Sequence, residues 1–551
     1  MYIDSSTYTV QGKTYRRALL RNSYRVNSVV KHDTIANLSK CSDSEINLLK
    51  KTLHLAKNPH EIETKFELKQ GLSVGAIWTL HQLAKELGIV KVLGNSQNAK
   101  LVLWMVYARL LGRGSRLSAT RLMSQHAGCD VLNLESFTEE HLYKALDWTQ
   151  IEQERIEKTL FEEKYGNKIP VFYLYDVTSS YLEGEDNELG DFGYNRDGKK
   201  SKRQIVIGLM TDAEGWPITV EVFQGNTNDT KTVRSQIRKV ADRFGVKEVT
   251  FVGDRGMIKK TQIKDLKEEE FHYITAITKP EIESLVKKGV ISLSLFDNNL
   301  AEIKIEEIRF IFRRNPDRAQ EIEQSRQEKF QRLKKLCAEK NAYLKTHKKA
   351  KVETAIKAII SKAQKLKICK WINVELQDGS LAVRIDEEQK AEEMRLDGCY
   401  VLKTDRKKEE LSTEEVHSRY KNLADVEWAF RTMKTTFLEM RGIFVRKEKR
   451  TRAHVFIVML SYMIAYKLRR LWKDIDLTVE EGLTELSSIN AVEVHLAKTS
   501  YQKIPQPRPM ASLLLQKAGV ALPDALPCSG TVVFTRKKLV FERKVLRRKS
   551  L

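Results

Sequence analysis

The sequence predicts an α/β chain: a mixed sheet interrupted by an α+β insertion domain, with a helical N-terminal region. Three observations carry that reading. Apolar runs of strand length recur between residues 168 and 280, each bounded by turn signals. Helical periodicity governs residues 70–165 and again 410–473. Between them, residues 281–400 break the pattern.

Strands are expected at 171–176, 204–212 and 217–225, then a helix at 232–244 and strands at 248–253 and 272–278. The first three strands have hairpin-length connections, apart from a long 182–203 loop. The helix then allows a crossover to a parallel strand. Three strands, helix, strand, helix, strand is the order of a ribonuclease-H-like mixed sheet. The stretch 317–367 is charged and reads as a helical hairpin, with Lys348-Lys349-Ala350-Lys351 at its turn or opening its second arm. Strand-like runs follow at 371–376, 381–385 and 399–404, and Asp378-Gly379 suits a hairpin turn between the first two.

The chain has 551 residues, enough for two to four domains. Its hydrophobic content of 41% supports real cores, and its net charge of +23 favours a polyanionic partner. The plainer alternative is a basic protein that binds nucleic acid without specificity. The longest apolar stretch, Val455 to Tyr466, is interrupted by Ser461 and falls short of the roughly 20 residues a bilayer needs, so it reads as a buried core helix. Met1 to Ser6 lacks the segments of a signal peptide. The six cysteines lie far apart with no CxxC pair, which fits a reducing cytoplasm rather than a zinc module or a disulfide framework.

Residues 1 to about 65 read as polar and irregular, with basic pieces at Arg16-Arg17, Arg21 and Lys31-His32. In 70–165 apolar positions recur at Ile77, Leu80, Leu83, Ala84 and Leu87, and from Leu101 to Leu111. Arg109, Arg113, Arg116 and Arg121 recur near helix spacing and are expected on the surface. That suits recognition of DNA ends; a helical support for the next domain is the alternative.

Three carboxylates are the candidate chemistry. Asp176 ends the apolar run from Val171, Asp254 ends the run from Val249, and Glu427 sits in a patterned helix. Two strand-end aspartates and a helical glutamate in a basic chain suit a two-metal site acting on phosphodiesters. Magnesium, with its preference for hard oxygen ligands, fits such a set, and manganese would serve the same ligands. Without cations the clustered carboxylates repel one another, and one tends to hold a proton. In the helix, Leu423, Val426, Phe430 and Met433 recur at core spacing. Tyr420, Glu427 and Lys434 are each seven apart and share a second face, joined by Arg431. The bland reading of Glu427 with Arg431 is a surface ion pair worth a few tenths of a kcal/mol.

Together these residues resemble the DDE transposases of bacterial insertion sequences, in the group marked by Tyr-x2-Arg-x3-Glu-x6-Lys. Tyr420, Glu427 and Lys434 fit that spacing, and Leu423 stands where the pattern has Arg. Arg431 or Arg419 is the candidate to supply the missing charge. Further matches lie in Tyr175-Asp176-Val177-Thr178-Ser179, Gly253-Asp254-Arg255-Gly256-Met257, Gly215-Trp216-Pro217-Ile218, Gly225 to Asp229 and Gly398 to Asp405. The likeness covers about 165–475 and extends weakly to Tyr24-Arg25-Val26 and Thr34 to Leu38.

The resemblance implies a catalytic and metal-binding set of Asp176, Asp254 and Glu427, with Mg2+ or Mn2+ as cofactor. It implies binding of double-stranded DNA at terminal inverted repeats, hydrolysis of one strand at each end, and attack by the freed 3′-hydroxyl on target DNA. It also implies a homodimer on DNA and a place in the bacterial cytoplasm with the nucleoid. The rivals are a ribonuclease-H-like nuclease or resolvase without strand transfer, and an inactive transposase-derived DNA-binding protein.

Candidate DNA contacts are Tyr420, Lys434, Arg431, Arg255, Arg196, Lys199, Lys200 and Trp371. Arg255 suits a scissile phosphate or a salt bridge. Trp371 suits a displaced base or the insertion core. The Gly-rich, increasingly basic loop from Asp186 to Lys202, with Tyr194 and Lys202, suits DNA or plain solvent. His454 suits a DNA-backbone role or the core. The expected domains are 1–165, helical and DNA-end-binding; 166–280, the first part of the catalytic core; 281–405, the insertion; 406–475, the second part of the core; and 476–551, a basic region for DNA contact or dimerisation. The tail from Arg543 to Lys549 is its most basic piece.

Overall fold

The computed structural model describes residues 1–526 except 11–12, 59–65, 200, 256, 348, 378, 441–442 and 497–498. The chain divides into two compact units: 1–81 with 120–136 and 481–551, and 82–119 with 137–480. The basic tail, Lys200, Lys348 and Asp378 lie outside the described residues.

The first unit opens on a three-stranded antiparallel sheet, β1 (Tyr2–Val10), β2 (Lys13–Val26) and β3 (Val29–Asn37). This region reads as irregular in sequence because its strands are polar on both faces. Ala18 and Leu19 are buried, whereas Tyr8, Tyr24, Val29 and Val30 are exposed. A strand without one dry face shows no apolar alternation, although its Tyr, Thr and Val favour extended backbone. A second sheet pairs β4 (Phe66–Ser73) with the Asn490–Leu496 strand, which in turn pairs with Thr499–Lys503.

The second unit is a mixed α/β body. Its strands are β5 (Phe172–Tyr181), β6 (Gln204–Asp212), β7 (Pro217–Phe223), β8 (Thr250–Gly253), β9 (His272–Ala276), β10 (Ala301–Ile305) and β11 (Ile308–Arg314), followed by the hairpin β12 (Ile372–Gln377) and β13 (Ser380–Ile385), and β14 (Cys399–Thr404). All but the hairpin join one eight-stranded sheet in the order β10-β11-β14-β9-β8-β5-β6-β7. β5, β8 and β9 run parallel; the other pairings are antiparallel. Every residue of β6 is buried, so both faces of the sheet are covered there. Tyr173, Tyr175, Phe251 and Tyr273 pack on one side with Val233, Ile237, Val240 and Leu266 from the crossover helices.

Part of the 281–405 stretch joins the main sheet. β10, β11 and β14 extend the main sheet. What stands apart from the sheet is a helix pair, Pro316–Thr346 and Val352–Lys365, with the β12–β13 hairpin and the Glu387–Met394 helix. Strand pairing across some 85 intervening residues leaves no local mark, which is why the 281–405 stretch reads as one block.

Burial corrects two sequence expectations. Arg109 and Arg116 are buried rather than exposed. Arg109 donates to the carbonyls of Arg113 and Gly114 at 2.9 and 3.0 Å, satisfying the end of the Gln97–Gly112 helix. Arg116 sits 3.1 Å from His454 Nδ1, and burial together with the two guanidiniums holds that imidazole neutral, so His454 is a core histidine. It lies in the Glu448–Leu471 helix, buried from Ala453 to Tyr466 and packed on the Gln97–Gly112 and Glu139–Tyr165 helices. Among the described residues no helix is long and apolar enough to cross a membrane.

Candidate active site

The register of two parallel strands brings the aspartates together. β5 and β8 pair Phe172 with Thr250 and, three residues on, Tyr175 with Gly253. The next residue on each chain, Asp176 and Asp254, therefore stands at the same level on neighbouring strands. Asp254 is the first residue past β8, as its sequence suggests. Asp176 is not at a strand end: β5 continues to Tyr181 because β6 still pairs with it, Asp176 opposite Leu209.

Glu427 arrives from the Leu423–Arg431 helix, which buries Leu423, Val426, Ala429 and Phe430 and packs on β5 and β6. The helix is moored to the β6–β7 turn. Asn422 Nδ2 donates to the Ala213 carbonyl at 2.8 Å. Gly215 has φ +81°, and a Cβ there would lie 2.7 Å from the Cβ of Asp425. A side chain at 215 would therefore push against the turn of helix that carries Glu427. Asp176, Asp254 and Glu427 together line two clefts of about 630 and 580 Å³. One opens toward Lys279, Arg318 and Tyr400, the other toward Arg196, Arg431 and Lys434.

Burial pushes the Asp176 carboxyl up to about 7; the Val177 N–H and Arg196 pull it down, while the charges of Asp254 and Glu427 add to the rise. A carboxylate raised by burial and set beside two others is a place where a cation is favoured. The donor set is all hard oxygen, which fits Mg2+ or Mn2+ in kind. Among the described residues no three His, Cys, Asp or Glu groups are gathered as placed to share one ion. The fit therefore rests on the chemistry of the donors and their mutual repulsion, not on a ready-made cage.

Around the carboxylates, Tyr420 donates to Asp254 Oδ1 at 3.1 Å and the Arg255 N–H donates to the same oxygen at 2.6 Å. Burial and the Asp254 charge raise the Tyr420 phenol, so it stays protonated. Arg255 and Arg431 are exposed at the clefts. Arg196 lines the second cleft, pairs with Asp229 at 2.6 Å and gives its N–H to Ser179 Oγ. Lys199 is exposed; Lys200 lies outside the described residues. Arg419 lies over the Phe172 ring at 4.7 Å, and Leu423 is buried in the helix core.

Two candidate DNA contacts are placed otherwise. Lys434 is buried, with Nζ 2.8 Å from Asp197 Oδ1 and 3.0 Å from Thr178 Oγ1. It clamps the β5–β6 loop to β5 at the wall of the second cleft. Trp371 is packed among Leu333, Cys337, Ile359 and Leu381, with no ring face free for a base. Asp197, the buried partner of Lys434, escaped the sequence reading because it sits in a polar Gly-rich stretch that resembles a solvated turn.

The chain matches the family described as the transposase DDE domain over residues 167–464, and the IS1634 family transposase N-terminal domain over residues 3–61. It belongs to the DDE transposases of insertion sequences. Strand cleavage and strand transfer on DNA are the general activity of this family, and its members depend on divalent metal. The transposase match spans the whole segment from β5 to the Glu448–Leu471 helix, both strand aspartates and the glutamate included. No curated protein matches the chain. Among solved structures it is similar to the cryo-EM structure of the piggyBac transposase synaptic complex with hairpin DNA, at 8% identity and a TM-score of 0.34, over 74% of this chain and 75% of that one. A likeness of that size is too weak to define the fold of this transposase.

Proposed function

We propose that Asp176, Asp254 and Glu427 are the catalytic triad of this transposase, on a ribonuclease-H-like sheet, and that the protein cuts and joins DNA at the terminal inverted repeats of its own element. The observation that carries the reading is the β5–β8 register, which sets the two aspartates side by side where the Glu427 helix crosses. Two magnesium ions held there would supply an activated oxygen nucleophile and a stabilised leaving oxygen. The chain's own residues hold the site in order. Tyr420 and the Arg255 N–H fix Asp254, and Lys434 with Asp197 fixes the loop over β5. Arg196, Arg255 and Arg431 line the clefts as cations for a phosphate backbone. Manganese would serve the same oxygens.

The charge of +23 supports a polyanionic partner, and the family resemblance supports the rest. Residues 1–165 would bind element ends, 166–280 and 406–475 would form the catalytic core, 281–405 the insertion, and 476–551 a surface for DNA or a second protomer. The working form would be a homodimer on DNA, in the bacterial cytoplasm with the nucleoid.

The test is an end-cleavage assay on labelled duplex carrying the sequences that flank the gene, with magnesium. Wild type should nick at the element boundary and give joined products. Binding to ends without metal-dependent cleavage would leave only a DNA-binding protein.

A further inference from the structure

Hydrophobic rings in water are the feature of the second unit that the proposed site does not use. Its exposed aromatic side chains among the described residues are Phe192, Tyr194, Tyr343 and Phe444. Phe192 and Tyr194 lie two residues apart in the loop between β5 and β6, 58% and 82% exposed. Phe444 belongs to a segment joined to the same loop: Leu182 bridges to Ile443, and the Glu188 N–H donates to the Arg446 carbonyl at 3.0 Å.

The loop that carries the two rings is anchored on both sides of them. Before them, Asp191 exchanges backbone hydrogen bonds with Gln204 at 3.1 and 2.9 Å, and its Oδ2 accepts from Asn226 at 2.7 Å. Between them, Gly193 passes so close to Gly225 that a Cβ would lie 2.2 Å from its carbonyl oxygen. After them, the Arg196 N–H is held by Ser179, and Asp197 is held by Lys434. With the backbone pinned at all three places, the rings have little freedom to fold back onto the protein.

Each ring has an arginine over one face, Arg203 at 5.9 Å from the Phe192 centroid and Arg196 at 5.7 Å from that of Tyr194, which leaves the opposite face for a base. From Tyr194 to Arg203 the sequence has five cations and one carboxylate, Asp197, which is engaged by Lys434; Arg196 and Lys202 pair with Asp229 and Glu183 at 2.6 and 3.0 Å, ion pairs on the surface that a phosphate can replace. Arg196 also lines the cleft of Asp176, Asp254 and Glu427, so the loop is continuous with the proposed reaction site. Aromatic faces interleaved with cations beside a phosphodiester site match what unpaired nucleotides require: rings for the bases, cations for the backbone. A fully paired duplex hides its base faces and would use the cations alone.

We propose that Phe192 and Tyr194 form a stacking platform for unpaired bases of the DNA strand next to the scissile phosphate. The proposal rests on the transposase site above. It adds a stated partner, single-stranded DNA flank, and a stated place, the β5–β6 loop. Opening a few base pairs beside the cut would be favoured by the stacking that replaces the lost pairing.

The experiment uses the full-length protein and element-end DNA in two forms: fully paired, and carrying about four unpaired nucleotides beyond the cleavage position. With F192A/Y194A, affinity for the flanked form should fall about 10- to 100-fold and for the paired form by no more than about 2-fold. F192W/Y194W should restore binding of the flanked form. 2-Aminopurine placed in the flank should be quenched by wild type and not by the alanine variant. Equal losses on both DNAs, loss on neither, or a change only in self-association would overturn the platform. Wild-type cleavage separates the two claims. If wild type cuts ends and the alanine variant keeps full preference for the flank, the platform alone fails. If wild type never cuts, the catalytic reading fails.

Discussion

Tyr420 gives its phenolic hydrogen to Asp254 Oδ1 at 3.1 Å, although 166 positions separate them in the chain. The bond ties the helix that precedes Glu427 to the end of the strand that carries Asp254. Tyr420→Phe should therefore lower strand cleavage about 10-fold and raise the divalent-ion concentration required, while stability changes by about 1 kcal/mol or less. Cleavage rates measured across a magnesium titration check this. An unchanged rate and an unchanged metal requirement would show that the hydroxyl positions nothing.

Asp254→Asn and Glu427→Gln keep side-chain volume and remove charge. Each should reduce nicking and joining by at least about 1000-fold while leaving affinity for element ends within a few-fold, since reaction and binding rest on different groups. Gel-resolved products beside a binding titration decide it. Residual full activity in either variant would remove that residue from the site.

Asp176 makes stability depend on pH in a stated direction. Its carboxyl ionises near 3.8 in an ordinary environment and is raised to about 7 in the fold, chiefly by burial. Between those values the folded state holds more protons than the unfolded one, so stability declines as pH rises through this window. The full cost, on the order of a few kcal/mol and reduced by partial exposure to solvent, persists above the folded value. In chelator, Asp176→Asn should melt above wild type at about pH 8 and level with it at about pH 4. Added magnesium should narrow the gap. Melting curves that are parallel across the range would contradict the raised value.

Lys434 and Asp197 are buried with side-chain exposures of 7% and 1%. Removing one partner leaves the other charge without its ion pair in a poorly solvated place, so Lys434→Met should cost about 3–5 kcal/mol. Adding Asp197→Asn to that variant should recover part of the loss. A surface phosphate contact would behave differently, with stability unchanged and salt-dependent DNA affinity reduced. Chemical denaturation of the two single variants and the double variant makes the distinction.

Gly215→Ala should cost about 1–3 kcal/mol, because its φ is +81° and its Cβ would meet Asp425 at 2.7 Å. The same change should slow cleavage by disturbing the helix that carries Glu427. A variant as stable and as fast as wild type would mean that the turn yields freely.

Much of this was legible in the sequence where chemistry and periodicity coincide. The runs ending at Asp176 and Asp254 read as strands because both faces of a central strand are apolar, and the 3-4-3 spacing of Leu423, Val426, Phe430 and Met433 gave the core side of the glutamate helix. What stayed hidden depends on partners far along the chain. Nothing beside Lys434 marks it as buried, since its counter-ion is in another loop. Arg109 and Arg116 look like surface cations until helix-end carbonyls and His454 are placed around them. Trp371 looks available until two helices close over it. The β1–β3 sheet escaped because strands wet on both faces carry no alternation to read.

The excursion from the main sheet begins and ends on hydrogen-bonded neighbours: Arg314 of β11 is paired with Cys399 of β14, and the Asn315 N–H donates to the Gly398 carbonyl at 2.9 Å. Gly398, at φ +74°, closes this neck where a Cβ would sit 2.3 Å from the Asn315 oxygen. The two strand ends are thus positioned as they would be if a tight hairpin joined them. What is strung between them hangs from the sheet by one neck, so the β11–β14 rungs do not depend on its length, although its Arg318 faces the cleft of the carboxylates. A short turn spliced from 314 to 399 is the smallest link that neck accepts.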